Sequence, residues 1–538
     1  MKLPKSWLKE YVDFHITDEE FIERMMWRGF ELGGLTKELP CEGVVVGRVD
    51  DIRRHENSDH LWICQVDVGS ERLQIVTGAR NVTAGALVPV AVVGSTLGGR
   101  RMEAVQMRGV ESRGMLCSGS ELGLSEADYP GAGADGILLL HGEHPLGKPI
   151  EAALGFDDVI FEFELTPNRP DCIGILGMCR EAAAALGQPF RAPAPKKLPG
   201  EGDEADYASV AIENYALCPR YTARVVKDIR IAPSPAWMQR RLKSVGLRPI
   251  NNIVDITNYV LVEYGHPMHA FDLACVEGGH IVVRNAKENE LVTTLDGKRR
   301  AVTPDMLLIA DPHKGVGIAG VMGGENSEIT EDTKVVLYES AVFLGSNIRA
   351  TARKLRHVTD AAARFIKGVE PVNALLALDR AVELTVELGA GTVVGATIDA
   401  GHGDYSERSV RIDAKRVNAL LGLSLPPEEM ARMLGTIDIP AAPEGPDGLR
   451  VTIPHFRTDI ETGIEADADI AEEIARIYGY YNIAPTLMRG DTFRGRIPDA
   501  FRIEDAVKDA LAAGGAYEMY NYNFTGPRTT SCAAPCGS

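Results

Sequence analysis

Four β-branched runs fall between Val44 and Gly94, namely VVVGRV, LWICQVDVG, LQIVTGA and LVPVAVVG, and Gly, Asn or Asp turns cut them apart. Residues of this kind fit a pleated, half-buried surface, and the punctuation between them favours short strands over helix. That many short strands within residues 40–152 predict a small closed barrel, for which a Greek-key OB-fold is the candidate. Such a barrel accounts for a small part of 538 residues, a length too great for one core. The chain is therefore expected to be a multidomain α+β protein.

Composition shifts divide the rest. Residues 1–39 read as mostly helical, with Asp18–Trp27 an amphipathic segment ended by Gly29. Residues 153–206 hold a strand and a helix (FEFELTPNRPDCIGILGMCREAAAALG), then a proline-rich charged linker, PFRAPAPKKLPGEGDEAD, that cannot fold by itself. Residues 207–400 alternate strands and helices as a large α+β domain. Residues 403–480 read as a small domain with two helices around a β-hairpin whose loop is AAPEGPDG, and 481–538 begin another domain.

Several classes are disfavoured. Hydrophobic content of 45% is that of an ordinary globular protein. No run of about 18 apolar residues predicts a membrane span, and MKLPKSWLKEYVDF lacks a signal-peptide core, so a cytoplasmic location is expected. Nine scattered cysteines read as reduced thiols, with Cys532 and Cys536 a lone CxxxC. A net charge of −19 argues against non-specific nucleic-acid binding by the whole surface. Val44–Leu122 is nonetheless neutral, with nine Arg against nine Asp and Glu. The segment Ile348–Gly368 carries Arg349, Arg353, Lys354, Arg356, Arg364 and Lys367 against only Asp360, a pattern compatible with docking one polyanion or with a solvated helix face.

Two segments concentrate chemistry. In Pro454–Ile483, Asp469, Glu472 and Glu473 stand at i, i+3 and i+4, which on a helix places three carboxylates on one face, with Asp459 upstream. Oxygen-only ligands of this kind suit Mg²⁺; an acidic first helical turn, favoured by the macrodipole, accounts for them equally. The run RPINNIVDITNYVLVEYGHPMHAFD gathers Asn251, Asn252, Thr257, Asn258, His266 and His269, and is followed by the turn GIAGVMGGENSEIT and the strand-like VVLYESAVF with Glu339. Gly320, Gly323 and Gly324 would let backbone N–H groups approach a ligand closely. His and Glu are what a hydrolytic site needs, though a buried polar network would use the same residues. There is no Walker loop, so ATP hydrolysis by this chain is not indicated.

Taken in order from Met1 to about Phe524, these segments resemble the β subunit of bacterial phenylalanyl-tRNA synthetase (phenylalanine–tRNA ligase). VVVGRVDDIRRHENSDHLWICQVDVG and MRGVESRGMLCSGSELGL resemble its tRNA-binding OB module, and FELTPNRPDCIGILG the strand–turn–helix that follows. INNIVDITNYVLVEYGHPMHAFD, GVMGGENSEI and RFIKGVEP resemble its editing domain, and DIAEEIARIYGYYNI the acidic helix before a catalytic-like domain of class II synthetase type. The resemblance implies a role in the α₂β₂ ligase that charges tRNA(Phe), with ATP consumed by the complex and aminoacylation sited on the separate α subunit. It implies an editing pocket for tyrosine wrongly attached to the tRNA, built from Thr257, Asn258, His269, Ala319, Gly320 and Glu339. There Glu339 would recognise the tyrosine hydroxyl, and His269 with the glycine-rich backbone would hold the ester and a water; His266 is the weaker match. It implies Mg²⁺ on Asp459, Asp469, Glu472 and Glu473, with Asp467 competing for the second position. The tail TGPRTTSCAAPCGS departs from the family, whose further domains are expected to be missing here. A free-standing editing hydrolase, an inactive truncated fragment and a pure RNA-binding module are the alternatives.

Overall fold

Phe161 and Phe163 point the same way along the strand Val159–Glu164, as the period of two requires, and both are fully buried. This strand pairs antiparallel with Lys2–Pro4 on one side and Glu31–Lys37 on the other. The helices Lys5–Tyr11, Asp18–Trp27 and Ile175–Leu186 cover it, burying Trp7, Leu8, Phe21, Met25, Met178 and Cys179 in one core. Residues 1–39 and 153–186 thus close a single sheet, although residues 40–152 separate them in sequence. Glu31–Lys37, read from sequence as part of a helical segment, is a strand. Its pairing partner lies more than 120 residues away, and Gly33 leaves room for the Glu164 side chain crossing over it. The computed structural model describes residues 1–126, 128–488, 490–491 and 495–522.

The four β-branched runs are strands. Cys41–Arg54, Trp62–Asp67, Arg72–Thr77 and Leu87–Leu97 join Gly114–Leu116 and Arg100–Arg101 in a six-stranded antiparallel sheet. Gly47 is required where the sheet curls on itself: a Cβ there would lie 2.5 Å from Val90 and 2.9 Å from Val66.

Residues 207–401 build two larger sheets and a two-stranded pair, Leu291–Thr293 with Arg299–Ala301. One has five strands in the order Ser209–Ile212, His280–Asn285, Leu307–Ala310, Gly315–Ile318 and Met322–Gly323. The other is antiparallel, in the order Met268–Asp272, Val335–Val342, Arg220–Lys227 and Thr392–Gly401. Alternation gives this second sheet two faces. Ala270, Val336, Tyr338 and Val226 share a core with Ile253, Leu378 and Val382 of the helices Asn252–Tyr264 and Asn373–Glu387. Tyr221, Ala223, Phe271, Leu337 and Ala341 face the five-stranded sheet and share its core.

The small region beyond Arg408 differs from the sequence expectation. Its hairpin is present, Ala441–Glu444 with Gly448–Ile453, but Arg408–Asp413 adds a third strand on the other edge of Gly448–Ile453. Three helices accompany it: Ala414–Leu421, Pro427–Gly435 and Ala466–Tyr478. Exposed charges alternating with Val410 and Ile412 hide the first strand from a composition-based reading.

Residues 1–483 form one compact unit and 484–538 a second. The described part of the second holds the helix Asp499–Ala513, with Phe501, Ile503, Val507 and Leu511 exposed. Cys532, Cys536 and the segment TGPRTTSCAAPCGS lie outside the described residues. Among the described residues, no helix is long and apolar enough to cross a membrane.

Candidate active site

Strand register builds the site. His269 stands directly opposite Glu339, and Glu339 directly opposite Ala223, so all three share one face of the four-stranded sheet. Two residues before Ala223 the same face carries Tyr221, whose phenol donates a 2.6 Å hydrogen bond to Glu339 Oε2. His269 packs edge-on against Phe271 at 4.5 Å between ring centroids, and its Nε2 is buried with no hydrogen-bond partner among the described residues. The turn after Gly315–Ile318 closes the other side. Together His269, Ala319, Gly320, Gly323 and Glu339 line a cavity of about 70 Å³, room for a few waters or the end of a side chain. Hollows of about 480 and 350 Å³ exist elsewhere, but neither includes these residues.

Four of the six residues expected in the pocket therefore converge. Thr257 and Asn258 do not line it. They lie on the helix Asn252–Tyr264, where the Thr257 hydroxyl donates to the Val254 carbonyl at 2.7 Å. His266 is fully buried and also lies off the cavity. Tyr221 is the residue sequence reasoning missed. The alternation of RYTARVVK points it into the core, but nothing local reveals a carboxylate 118 residues further on.

Burial sets the charges. It pushes the Glu339 carboxyl up to about 7 against the opposing Tyr221 hydrogen bond, and pushes the His269 imidazole down to about 4. The Tyr221 phenol is raised well above its usual range by burial and by the neighbouring carboxylate, so it remains a donor. At neutral pH the cavity thus presents a neutral imidazole with an unpartnered nitrogen beside a carboxyl that ionises near physiological pH. Glu339 Oε1 has no protein donor among the described residues and is available to a hydrogen-bond donor.

The glycine turn is part of the geometry. A Cβ at position 323 would lie 2.5 Å from His269 Cε1 and 2.8 Å from Nε2. Gly323→Ala is expected to displace the imidazole, which a shift of the His269 ring resonances in NMR measures; unshifted resonances would show that the turn does not fix the ring.

Three family models match the chain. The putative tRNA binding domain covers residues 44–149, the B3/4 domain 217–390 and the tRNA synthetase B5 domain 410–480. The phenylalanine–tRNA ligase beta subunit of Moorella thermoacetica is 43% identical over 98% of this chain and 65% of its own length. That of Geobacter sulfurreducens is 42% identical over 97% of this chain and 64% of its own length. Over nearly all of its own length the chain is similar to phenylalanine–tRNA ligase beta subunits. It spans about 65% of the length of these relatives. An N-terminal fragment of the phenylalanyl-tRNA synthetase beta subunit from Pyrococcus horikoshii aligns with 89% of the chain at 13% identity, with a TM-score of 0.38. The cavity lies within the B3/4 match, and its lining residues all come from that part of the chain.

The acidic helix Ala466–Tyr478 holds its carboxylates apart. Glu472 is exposed and Glu473 fully buried, because adjacent helical residues point about 100° apart. Glu473 accepts from Arg457 at 2.8 Å and from Arg476 at 2.5 Å, while Asp459 takes both of its bonds from Arg457 at 2.9 and 2.8 Å. Burial alone would raise the Glu473 carboxyl; Arg476 and Arg457 outweigh it and hold it well below the usual range. Asp469 caps the backbone N–H of Glu461, and Asp467 accepts from the backbone of Asp413 and pairs with Arg416. Asp459 and Glu473 are thus committed to guanidinium groups, while Glu472 is exposed and Asp469 holds only the Glu461 backbone N–H; among the described residues these four carboxylates do not draw together tightly enough to share a metal ion. Among the described residues, one group of carboxylates and thiols is tight enough for a metal: Asp171, Cys172 and Glu181. Arg169 already occupies it, at 2.7 Å from Asp171 and 2.6 Å from Glu181. Arg476 bonds Glu181 as well, at 3.0 and 3.1 Å. One buried network of arginines and carboxylates therefore ties the small region beyond Arg408 to the helix Ile175–Leu186.

Proposed function

We propose that this chain is the tRNA-binding and editing part of a phenylalanine–tRNA ligase, and that its cavity hydrolyses tyrosine wrongly esterified to tRNA(Phe). The observation that carries this reading is Glu339, buried opposite His269 with one oxygen engaged by Tyr221 and the other open to the cavity. An apolar pocket rejects an added hydroxyl poorly, so an enzyme that selects phenylalanine gains from a second site that recognises the phenol. A fixed, buried carboxylate acceptor is the group to do so. The neutral imidazole of His269 then orients or deprotonates the attacking water, and the glycine turn lets the backbone lie close to the ester. Residues 207–400 would be the editing domain. Residues 40–152 would form an OB barrel that holds the tRNA, and 481–538 would begin a class II synthetase-like domain. Activation of phenylalanine with ATP and Mg²⁺ would fall to the alpha subunit of an α₂β₂ complex in the cytoplasm. Every group of the cavity lies within residues 217–390, so hydrolysis itself needs no partner chain. That observation favours a free-standing editing hydrolase as the second reading, which copurification with an alpha subunit would decide.

The raised Glu339 carboxyl gives the test. Acceptance of a phenol requires the ionised form, which is depleted below about 7 and complete above it. Hydrolysis of Tyr-tRNA(Phe) at subsaturating substrate should therefore rise with pH through that value and level off. A rate that is flat from about pH 6 to about pH 8 would remove Glu339 ionisation from the reaction.

A further inference from the structure

The helix Gly345–Leu355 carries Arg349 and Arg353 one turn apart, and Arg356 caps it in a left-handed conformation with φ of 50°. The three positions, i, i+4 and i+7, form one stripe. All three are exposed, and none makes an ion pair among the described residues. The neighbouring charges are otherwise committed. Lys354 pairs with Asp305 at 2.7 Å, and Arg364 is buried, bonding the carbonyls of Asp360 and Ile173. The buried face of the same helix, Ile348, Thr351 and Ala352, lies about 110° around from this stripe.

That buried side is the outer wall of the cavity. A Cβ at Gly320 would lie 2.9 Å from Ile348 and 3.0 Å from Phe365, so these side chains pack directly on the turn that lines it. Ala361 and Phe365, from the helix Asp360–Lys367, line the cavity themselves. Three unpaired guanidiniums thus flank the wall of a site with room for only the end of a bound molecule. On a chain of net charge −19 a polyanion is repelled overall, and a local ridge of this kind decides where it can lie. Guanidinium is suited to phosphate through its forked donors.

We propose that Arg349, Arg353 and Arg356 dock the sugar–phosphate backbone of an RNA whose 3′ end enters the cavity. The assignment rests on the hydrolytic reading of that cavity, and it extends it by naming the surface that receives the rest of the substrate.

The test compares the full chain with its R349E/R353E/R356E variant. Binding of uncharged tRNA(Phe) is followed by fluorescence anisotropy over a series of KCl concentrations. The variant should bind at least about tenfold more weakly, and its slope of log K against log salt should be shallower by about 2 to 3, the share of three phosphate contacts. KM for Tyr-tRNA(Phe) hydrolysis should rise while hydrolysis of tyrosyl-adenosine, too short to reach the ridge, stays unchanged. Unaltered tRNA affinity and salt slope would overturn the proposal. So would loss of poly-glutamate binding with tRNA binding intact, which would assign the ridge to an acidic protein. If neither protein hydrolyses either ester, the hydrolytic reading fails, and the salt slope still decides the ridge.

Discussion

Glu339→Gln is expected to lower kcat/KM for Tyr-tRNA(Phe) hydrolysis by about 10- to 100-fold. The reasoning starts from the sheet. Glu339 is held by register opposite His269, and its Oε2 is fixed by the Tyr221 phenol at 2.6 Å, so Oε1 has little freedom when a donor arrives. A hydrogen bond to a charged acceptor in a buried site contributes about 1.5–3 kcal/mol, which is roughly that range in rate. Glutamine keeps the volume and can still accept from Tyr221, so the fold should be retained. Phe-tRNA(Phe), which brings no hydroxyl, should be hydrolysed at the parent's slow rate. Tyr221→Phe should act in the same direction through a different route. Without the phenol donor the carboxyl becomes harder to ionise, and the acid limb of the pH profile should move upward. Steady-state hydrolysis of both esters by the three proteins checks the set; an unchanged Tyr-tRNA(Phe) rate in Glu339→Gln would remove this residue from recognition.

Arg476→Met should destabilise the unit of residues 1–483 by about 3–5 kcal/mol. Arg476 is buried and bonds Glu181 and Glu473 at once, the first on the helix Ile175–Leu186 and the second on the helix Ala466–Tyr478. Losing it leaves two carboxylates short of a partner in a place where water cannot replace it. Arg457 would still reach Glu473, and Arg169 would still reach Glu181, so the damage should concentrate at the junction. Hydrogen exchange should quicken first in Ala466–Tyr478 and Ile175–Leu186, with a lower melting temperature. A triple change to Met at 476 with Gln at 181 and 473 should recover part of the loss, because the stranded charges are removed together. A melting temperature equal to the parent's in Arg476→Met would show that the network does not hold this junction.

The same network shows where sequence reading reaches its limit. The β-branched runs of residues 44–94 and the glycine turn around Gly320 are legible because their signals are local: alternation, turn residues and backbone freedom. The site is half legible. His269 and Glu339 stand out as polar residues inside apolar strand patterns, but Tyr221 looks like ordinary core and becomes functional only through strand pairing across more than a hundred residues. Thr257 was expected in the pocket, and its hydroxyl instead satisfies the helix carbonyl one turn back. The acidic helix shows the reverse. Spacing of Asp469, Glu472 and Glu473 is visible in the sequence, whereas the arginines that claim Glu473 and Asp459 come from Arg457, two residues before Asp459, and from Arg476, on the helix itself. An arginine at i+3 from a glutamate was the available signal for an ion-pair network. Glu31–Lys37 failed because a strand that contains two glycines and pairs far away carries no local signature.

The central claim is that the cavity distinguishes a phenol from a bare ring. Single-turnover hydrolysis of Tyr-tRNA(Phe) and Phe-tRNA(Phe) by the full chain, at pH about 8 where Glu339 is ionised, measures that directly. The account predicts that the tyrosyl ester is cleaved at least about 100-fold faster, with the preference lost in Glu339→Gln. Equal rates for the two esters, or a preference that survives Glu339→Gln intact, would contradict it.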